Sequence, residues 1–264
     1  MALPFFDHGA ARVAALVRPG MLCAFDFDGT LAPIVADPAM AAMPDNVLRR
    51  LLMLQRHAQV AIITGRALAD ITLRLDFRPD HLIGNHGIEG WADWERWSGG
   101  YQRLCAHWHA RLIVALRDTR HFDPAIVIED KTLSLSVHYR RVRERRNTEI
   151  ALRALFAGLL PEAHVVTGKC VFNLLPPDAP DKGDALAGLC ARYALPSAIY
   201  VGDDDTDEAI FRRHRADWLT LRIQDAAGSG AEFFVPHQRD LLRVLDTLLT
   251  HLAGQEPIRH GAES

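Results

Sequence analysis

Disulfide chemistry is the first thing this chain has little material for. Its four cysteines, Cys23, Cys105, Cys170 and Cys190, form no C-x-x-C pair and no cluster, so free thiols in a reducing cytoplasm are expected. An excess of basic charge is missing too. Charged residues make up 24% and the net charge is -3, which gives no sign of a nucleic-acid surface or a polybasic membrane anchor. No apolar run approaches the ~20 residues that span a bilayer. The first twenty residues contain Asp7 and no unbroken apolar stretch, so no secretory signal peptide is expected. Internal repeats and low-complexity tracts are absent as well. These absences leave a soluble cytoplasmic chain, expected to be a monomer, with neither nucleic acid nor membrane as partner. Its 264 residues suffice for one large or two modest domains.

What is present alternates in type along the chain. The apolar run 21–27, the helical period of Val47, Leu48, Leu51, Leu52 and Leu54 after a capping Asp45, and the apolar run 60–63 alternate strand with helix. A further short strand is expected at 82–84. Short turns between such elements imply right-handed crossovers and a parallel sheet covered on both faces. The middle differs. Leu104, Trp108, Leu112 and Leu116 mark one amphipathic helix, and Leu133, Leu135, Val137 and Tyr139 alternate with Thr132, Ser134, Ser136 and His138. Period two with one polar face predicts an antiparallel, half-solvated strand. A helix over about 143–159 and a hairpin turning at Gly168-Lys169 follow. The last third returns to alternating style, with helices after Lys182 and Thr206, strands at 198–201 and 218–223, a final helix over about 238–252, and a polar tail from Ala253 expected to fray. The expected fold class is α/β, a Rossmann-like parallel core with an inserted α+β domain. The core spans 1–88 and 179–264, and the insertion spans 89–178.

Four short motifs carry chemistry. Cys23-Ala24-Phe25-Asp26-Phe27-Asp28-Gly29-Thr30 breaks an apolar run into two carboxylates, costly to bury without a cation or a phosphate. A surface Asp-Gly turn is the alternative. Thr64-Gly65-Arg66 follows a buried strand and offers a hydroxyl and amides at a helix start, either as an anion cradle or as a plain cap. Lys182 heads a helix against the macrodipole, so it is either solvated or paired with an anion. Gly202-Asp203-Asp204-Asp205-Thr206-Asp207-Glu208 places five acids in six residues after a strand, which calls for a hard divalent cation unless it is a solvated helix start.

In this order the motifs resemble the haloacid dehalogenase superfamily. The resemblance implies Asp26 as a nucleophile that becomes an acyl phosphate, and Asp28 as the acid that protonates the leaving alkoxide and then the base for water. It implies Thr64 and Lys182 as partners of the phosphate. Mg2+ would be held by Asp26, the Asp28 carbonyl and Asp203, with Asp207 or its rival Asp204 supporting a metal-bound water. The second acid, Asp28, points to phosphate-ester cleavage, since a dehalogenase has no alkoxide to protonate.

Further stretches resemble the trehalose-6-phosphate phosphatase family from about Cys23 to Leu249: Gly84-Asn85-His86-Gly87-Ile88-Glu89, Ile128-Glu129-Asp130-Lys131, His138-Tyr139-Arg140 and Gly168-Lys169-Cys170-Val171. The resemblance implies hydrolysis of trehalose 6-phosphate, with the inserted domain closing over the sugar. Glu129 and Lys131 would read sugar hydroxyls, His86, Arg140 and Lys169 would lie near the cleft, and Gly65 and Arg66 would belong to the substrate site. Where the family carries glutamate this chain has Asn173, which keeps donor and acceptor but loses the charge. Other sugar phosphates, sucrose 6-phosphate or mannosyl-3-phosphoglycerate, and a non-catalytic sugar-phosphate sensor stay open as alternatives.

Overall fold

The computed structural model describes residues 2–35, 37–91 and 94–254. In chain order the elements are β1 (Leu3–Pro4), α1 (Phe5–His8), α2 (Ala10–Leu16), β2 (Leu22–Phe25), α3 (Asp45–Leu54), β3 (Gln59–Ile63), α4 (Leu68–Thr72) and β4 (His81–Ile83). Then come α5 (Trp94–Leu116), β5 (Val127–Asp130), β6 (Leu135–His138), α6 (Arg145–Ala157), β7 (His164–Gly168) and β8 (Val171–Leu175). The chain finishes with α7 (Lys182–Arg192), β9 (Ala198–Gly202), α8 (Glu208–Phe211), β10 (Trp218–Ile223), β11 (Phe233–Val235) and α9 (Leu241–Ala253). Two compact units result, one of residues 1–90 with 181–264 and one of residues 91–180. Among the described residues no helix is long and apolar enough to cross a membrane.

The first unit is an α/β sheet of seven strands in the order β1-β11-β10-β9-β2-β3-β4, every pair parallel. Alternate strand residues Cys23, Phe25, Val60, Ile62, Ile199, Val201, Leu219 and Leu221 face one apolar cluster with α2, α3 and α9, which contribute Val13, Leu16, Leu51, Leu54, Leu245 and Leu248. The intervening residues Leu22, Ala24, Ala61, Ile63, Ala198 and Tyr200 are buried as well. Burial on both faces explains the near-continuous apolar runs of the sequence. β2 lies between β3 and β9, so the strand order reverses there. The carboxyl ends of strands at such a reversal form a crevice where open parallel sheets take ligands. Phe25 is level with both Ile62 and Val201, so the residues following these three strands emerge side by side.

The second unit is an antiparallel sheet ordered β5-β6-β8-β7. Leu135, Val137, Phe172 and Leu174 pack against Cys105, Trp108 and Leu112 of α5 and Leu152 and Phe156 of α6. Phe172 stacks on Tyr139 with centroids 5.2 Å apart and meets the edge of Phe156 at 5.4 Å, geometries that aromatic quadrupoles favour.

Several expectations need correction. The period-two alternation around β6 is present, but its polar side is solvated only at the ends: Thr132 is exposed and His138 half-buried, whereas Ser134 and Ser136 are both fully buried. The Ser136 hydroxyl donates to Asn173 Oδ1 at 2.7 Å across the β6–β8 pair, which satisfies both groups without water. The hairpin turns at Lys169-Cys170, one residue later than read, because Gly168 still pairs with Val171 and Cys170 takes the positive φ of 64°. Asp45 does not cap α3. Pro44 holds that position, and Asp45 stands inside the first turn, where its charge favours the helix dipole. The helix after Thr206 is one turn, α8. β1, α1 and β11 are too short for a period to reveal them. The sequence predicts a tail that frays from Ala253, but Ala253 is the last residue of α9 and Gly254 caps it; residues 255–264 lie outside the described residues.

Ser136→Ala would leave the Asn173 carbonyl buried without its donor, at a cost of about 1–3 kcal/mol. Urea unfolding of the variant measures this, and the double variant Ser136→Ala/Asn173→Leu should recover part of the loss.

Candidate active site

The site begins where β2 ends. Asp26 donates its backbone N–H to Val201 O at 2.9 Å, and its Oδ1 accepts from the Phe27 amide at 2.8 Å. The chain then doubles back: Gly29, at φ 80°, donates to Ala32 O. That glycine has a second reason. A Cβ there would stand 2.3 Å from the Asp203 carboxylate, so the first motif accommodates the fourth only because residue 29 has no side chain.

Lys182 opens α7 and is buried. Its Nζ stands 2.7 Å from Asp207 Oδ1 and 3.2 Å from Asp26 Oδ1. The helix tolerates a cation at its start because the preceding Asp181 and the following Asp184 make a reciprocal capping box. Asp181 accepts from the Asp184 amide at 2.7 Å and Asp184 accepts from the Asp181 amide at 3.0 Å. Asp207 is saturated in turn. Its Oδ1 also accepts from the Tyr200 hydroxyl at 2.7 Å, and its Oδ2 from the Asp204 amide at 2.9 Å.

Oxygens of Asp26, Asp203 and Asp207 lie within 4.8 Å of one another, and all three residues are buried. Burial pushes the Asp26 carboxyl well above the usual range. Lys182 opposes the shift, while Asp207, Asp203 and Asp28 add to it. Burial alone would lower the Lys182 ammonium, but Asp207 and Asp26 hold it above the ordinary lysine value. Burial and then Asp207 push Tyr200 far up, so it serves as a hydrogen-bond donor. Three crowded carboxylates beside one ammonium, all offering oxygen, fit a hard divalent cation, whose charge would reverse the upward pressure on Asp26.

The acid run is divided between two cations. Arg222, buried in β10, donates to Asp204 O at 3.1 Å and Glu208 Oε1 at 3.0 Å, and pairs with Asp205 Oδ1 at 3.2 Å. Asp205 and Glu208 therefore balance an arginine, and Asp203 and Asp207 face the carboxylate cluster. Tyr200 and Arg222 did not emerge as site residues from sequence reasoning. The available signal was a hydroxyl in the otherwise apolar strand Ala198–Gly202 and a charged residue in the largely apolar strand Trp218–Ile223.

Thr64 directly follows β3, buried, with its amide on Ile83 O at 2.9 Å and its Oγ1 accepting from the Arg66 amide at 3.3 Å. It is not at a helix start, as the sequence implied. α4 begins at Leu68 after an extended Ala67, and the Leu68 amide donates to Glu89 Oε2 at 2.6 Å. The loop after β4 folds over Thr64–Arg66. Asn85, His86 and Gly87 have φ of 48°, 62° and 120° in succession, and the His86 amide donates to Thr64 O at 3.0 Å. A Cβ on Gly65 would meet His86 Cε1 at 2.4 Å, and one on Gly87 would meet the Asp181 carbonyl oxygen at 2.3 Å. This left-handed run is thus packed against both the Thr64–Gly65 turn and the start of α7, a strained arrangement of the kind that surrounding contacts must hold.

Asp28 is apart from the cluster. Its carboxylate accepts from Arg66 Nε at 2.6 Å and from a terminal nitrogen of Arg66 at 2.7 Å. Glu129, Lys131, Arg140, Lys169 and Asn173 lie in the second unit. Glu129 Oε2 hydrogen-bonds His138 Nε2 at 2.9 Å with Lys131 Nζ at 4.0 Å, and Arg140 donates to Lys169 O at 3.3 Å. Glu129 and Asn173 both pair with Ser136 from opposite sides, one row of the sheet.

The family model described as trehalose-phosphatase matches residues 24–229. The trehalose-phosphate phosphatase of Mycobacterium leprae (strain TN) is 34% identical over 197 residues, 71% of this chain and 46% of that protein. That of Mycobacterium marinum (strain ATCC BAA-535 / M) is 31% identical over 245 residues, 90% of this chain and 60% of that protein. The chain thus spans about half the length of the curated relatives it matches. The solved C-terminal domain of the trehalose-6-phosphate phosphatase of C. albicans superposes with a TM-score of 0.68 at 21% identity, covering 90% of this chain and 93% of that one. At that identity the likeness speaks for the fold.

Lys182→Met should destabilise the fold by about 3–5 kcal/mol, because it leaves two buried carboxylates facing each other without their ammonium. Thermal unfolding checks this, and Lys182→Met/Asp207→Asn should regain part of the loss.

Proposed function

The chain belongs to the trehalose-phosphatase family, and from that premise we propose that it hydrolyses trehalose 6-phosphate to trehalose and phosphate. The observation that carries the reading is the buried Asp26 carboxylate, held 3.2 Å from the Lys182 ammonium and clustered with Asp203 and Asp207. A carboxylate kept dry and paired in this way is a nucleophile for phosphorus.

Asp26 Oδ forms a bond to phosphorus as the ester P–O bond breaks, and Asp28 gives its proton to the departing sugar oxygen. Water then attacks the aspartyl phosphate while the Asp28 carboxylate takes its proton, which restores Asp26 and frees phosphate. Lys182 offsets the repulsion between Asp26 and the phosphate dianion, and Thr64 and Gly65 receive phosphoryl oxygens. Most of the rate gain is placement and charge compensation. Mg2+ is the cation we propose. Asp26, Asp203 and the Asp28 carbonyl would hold it, with Asp207 or Asp204 behind them, and it would supply positive charge to the phosphoryl oxygens. Asp207, already shared by Lys182, Tyr200 and the Asp204 amide, serves better as the support of Lys182. The hydroxyl-reading groups belong to the inserted unit, residues 91–180: Glu129 with Lys131 and His138, Arg140 with Lys169, and Asn173 with Ser136. The protein acts as a cytoplasmic monomer.

Phosphate release decides the matter. With Mg2+, kcat/KM on trehalose 6-phosphate should exceed that on sucrose 6-phosphate and mannosyl-3-phosphoglycerate, and EDTA should abolish turnover. Asp26→Asn should lower kcat by at least about 10⁴-fold. Equal rates on all three esters would sink the trehalose assignment, and equally low release with and without Mg2+ would favour a sensor.

A further inference from the structure

Arg66 follows Thr64-Gly65 in the second motif, a position from which a guanidinium would ordinarily be given to the substrate. Its surroundings say otherwise. Arg66 is only 9% exposed. Nε and one terminal nitrogen grip the two oxygens of Asp28 at 2.6 and 2.7 Å, and the same terminal nitrogen also donates to Pro38 O at 2.9 Å. The other terminal nitrogen donates to Asp70 Oδ2 at 2.6 Å. Asp70 is fixed by Arg74, whose Nε reaches Oδ2 at 3.0 Å and whose terminal nitrogen reaches Oδ1 at 2.6 Å. The guanidinium also lies 5.6 Å from the Phe27 ring centroid. Four of its five N–H donors are thereby directed into protein acceptors. Little remains to read a sugar or a phosphate.

We propose that Arg66 is the positioning residue of Asp28, the acid–base group of the proposed reaction, and not a substrate ligand. A carboxyl group on a mobile side chain must be aimed to protonate a leaving oxygen, and a two-point guanidinium fork fixes both its distance and its plane. In the first half-reaction the Asp26–phosphorus bond forms, the ester P–O bond breaks, and the Asp28 proton moves to the alcohol oxygen. Arg66 then faces the carboxylate that remains, which stays oriented to take the proton of water in the second half. The Asp70–Arg74 pair is the abutment that keeps Arg66 from turning away.

The inference rests on the proposed acid–base role of Asp28, and leaving-group dependence separates the two. kcat/KM reports the first half-reaction alone, and it should be measured on trehalose 6-phosphate, butyl phosphate and p-nitrophenyl phosphate. The first two release alkoxides that need a proton, whereas p-nitrophenolate does not. Arg66→Met should lose about a hundredfold on both alkyl esters and little on p-nitrophenyl phosphate, with Arg66→Lys recovering part. Asp70→Asn, which loosens the abutment without touching Asp28, should show the same pattern more weakly. An equal loss on all three esters would overturn the proposal, since that follows from phosphate binding or a structural role. Loss confined to trehalose 6-phosphate would overturn it too, by making Arg66 a sugar ligand. Wild-type protein inactive on every ester would instead remove the phosphatase reading, and this inference with it.

Discussion

The contact on which the rest depends is the buried Lys182 ammonium shared by Asp26 and Asp207. It lets two carboxylates from distant parts of the chain approach inside the first unit without prohibitive repulsion. Each neighbouring detail serves it. The Asp181–Asp184 box lets a helix begin on a cation, the Tyr200 hydroxyl and the Asp204 amide fix Asp207, and Gly202 leaves room, since a Cβ there would meet Asp207 Oδ2 at 2.3 Å. Asp26 is consequently held by a rigid set of partners, as the nucleophilic role proposed for it requires.

The sheet explains why these groups meet at all. β2, β3 and β9 are adjacent, parallel and in register, so their following residues, Asp26, Thr64 and Asp203, emerge together at the order reversal. Charge is then partitioned locally. Arg222 absorbs Asp205 and Glu208, Arg66 takes Asp28 and Asp70, and Lys182 takes Asp26 and Asp207. The run 203–208 that reads as one block of acids is thus split between two cations, Lys182 and Arg222.

Strand–helix alternation, the inserted second sheet and the four motif positions were legible because they rest on apolar period and on chemically costly residues. Positions that depend on what lies across the fold were not. Ser136 reads as solvent-facing until Asn173 is seen opposite it, and Thr64 reads as a cap until α4 is seen to start at Leu68. Arg222 looks like surface charge in a sequence with many arginines and Arg66 reads as a substrate contact, and only the partners brought by folding reveal what each one holds. Tyr200 hides the same way, one hydroxyl in an apolar strand. Lys182 was the exception, since its unfavourable place at a helix start signalled a hidden anion.

The parallel sheet is discontinuous in sequence: Leu22 pairs with Ala198 and Phe25 with Val201, with the whole of residues 91–180 intervening. During synthesis, the ribosome must therefore release the antiparallel sheet and its helices before the strand that completes the central pairing exists. Folding the intervening unit early shortens the effective loop to be closed, and closure entropy grows only slowly with its length. The nascent chain carries Asp26 and Thr64 as an incomplete half until Lys182 and Asp203 arrive, so any product truncated before residue 182 lacks the ammonium and the Asp203 and Asp207 carboxylates of the cluster.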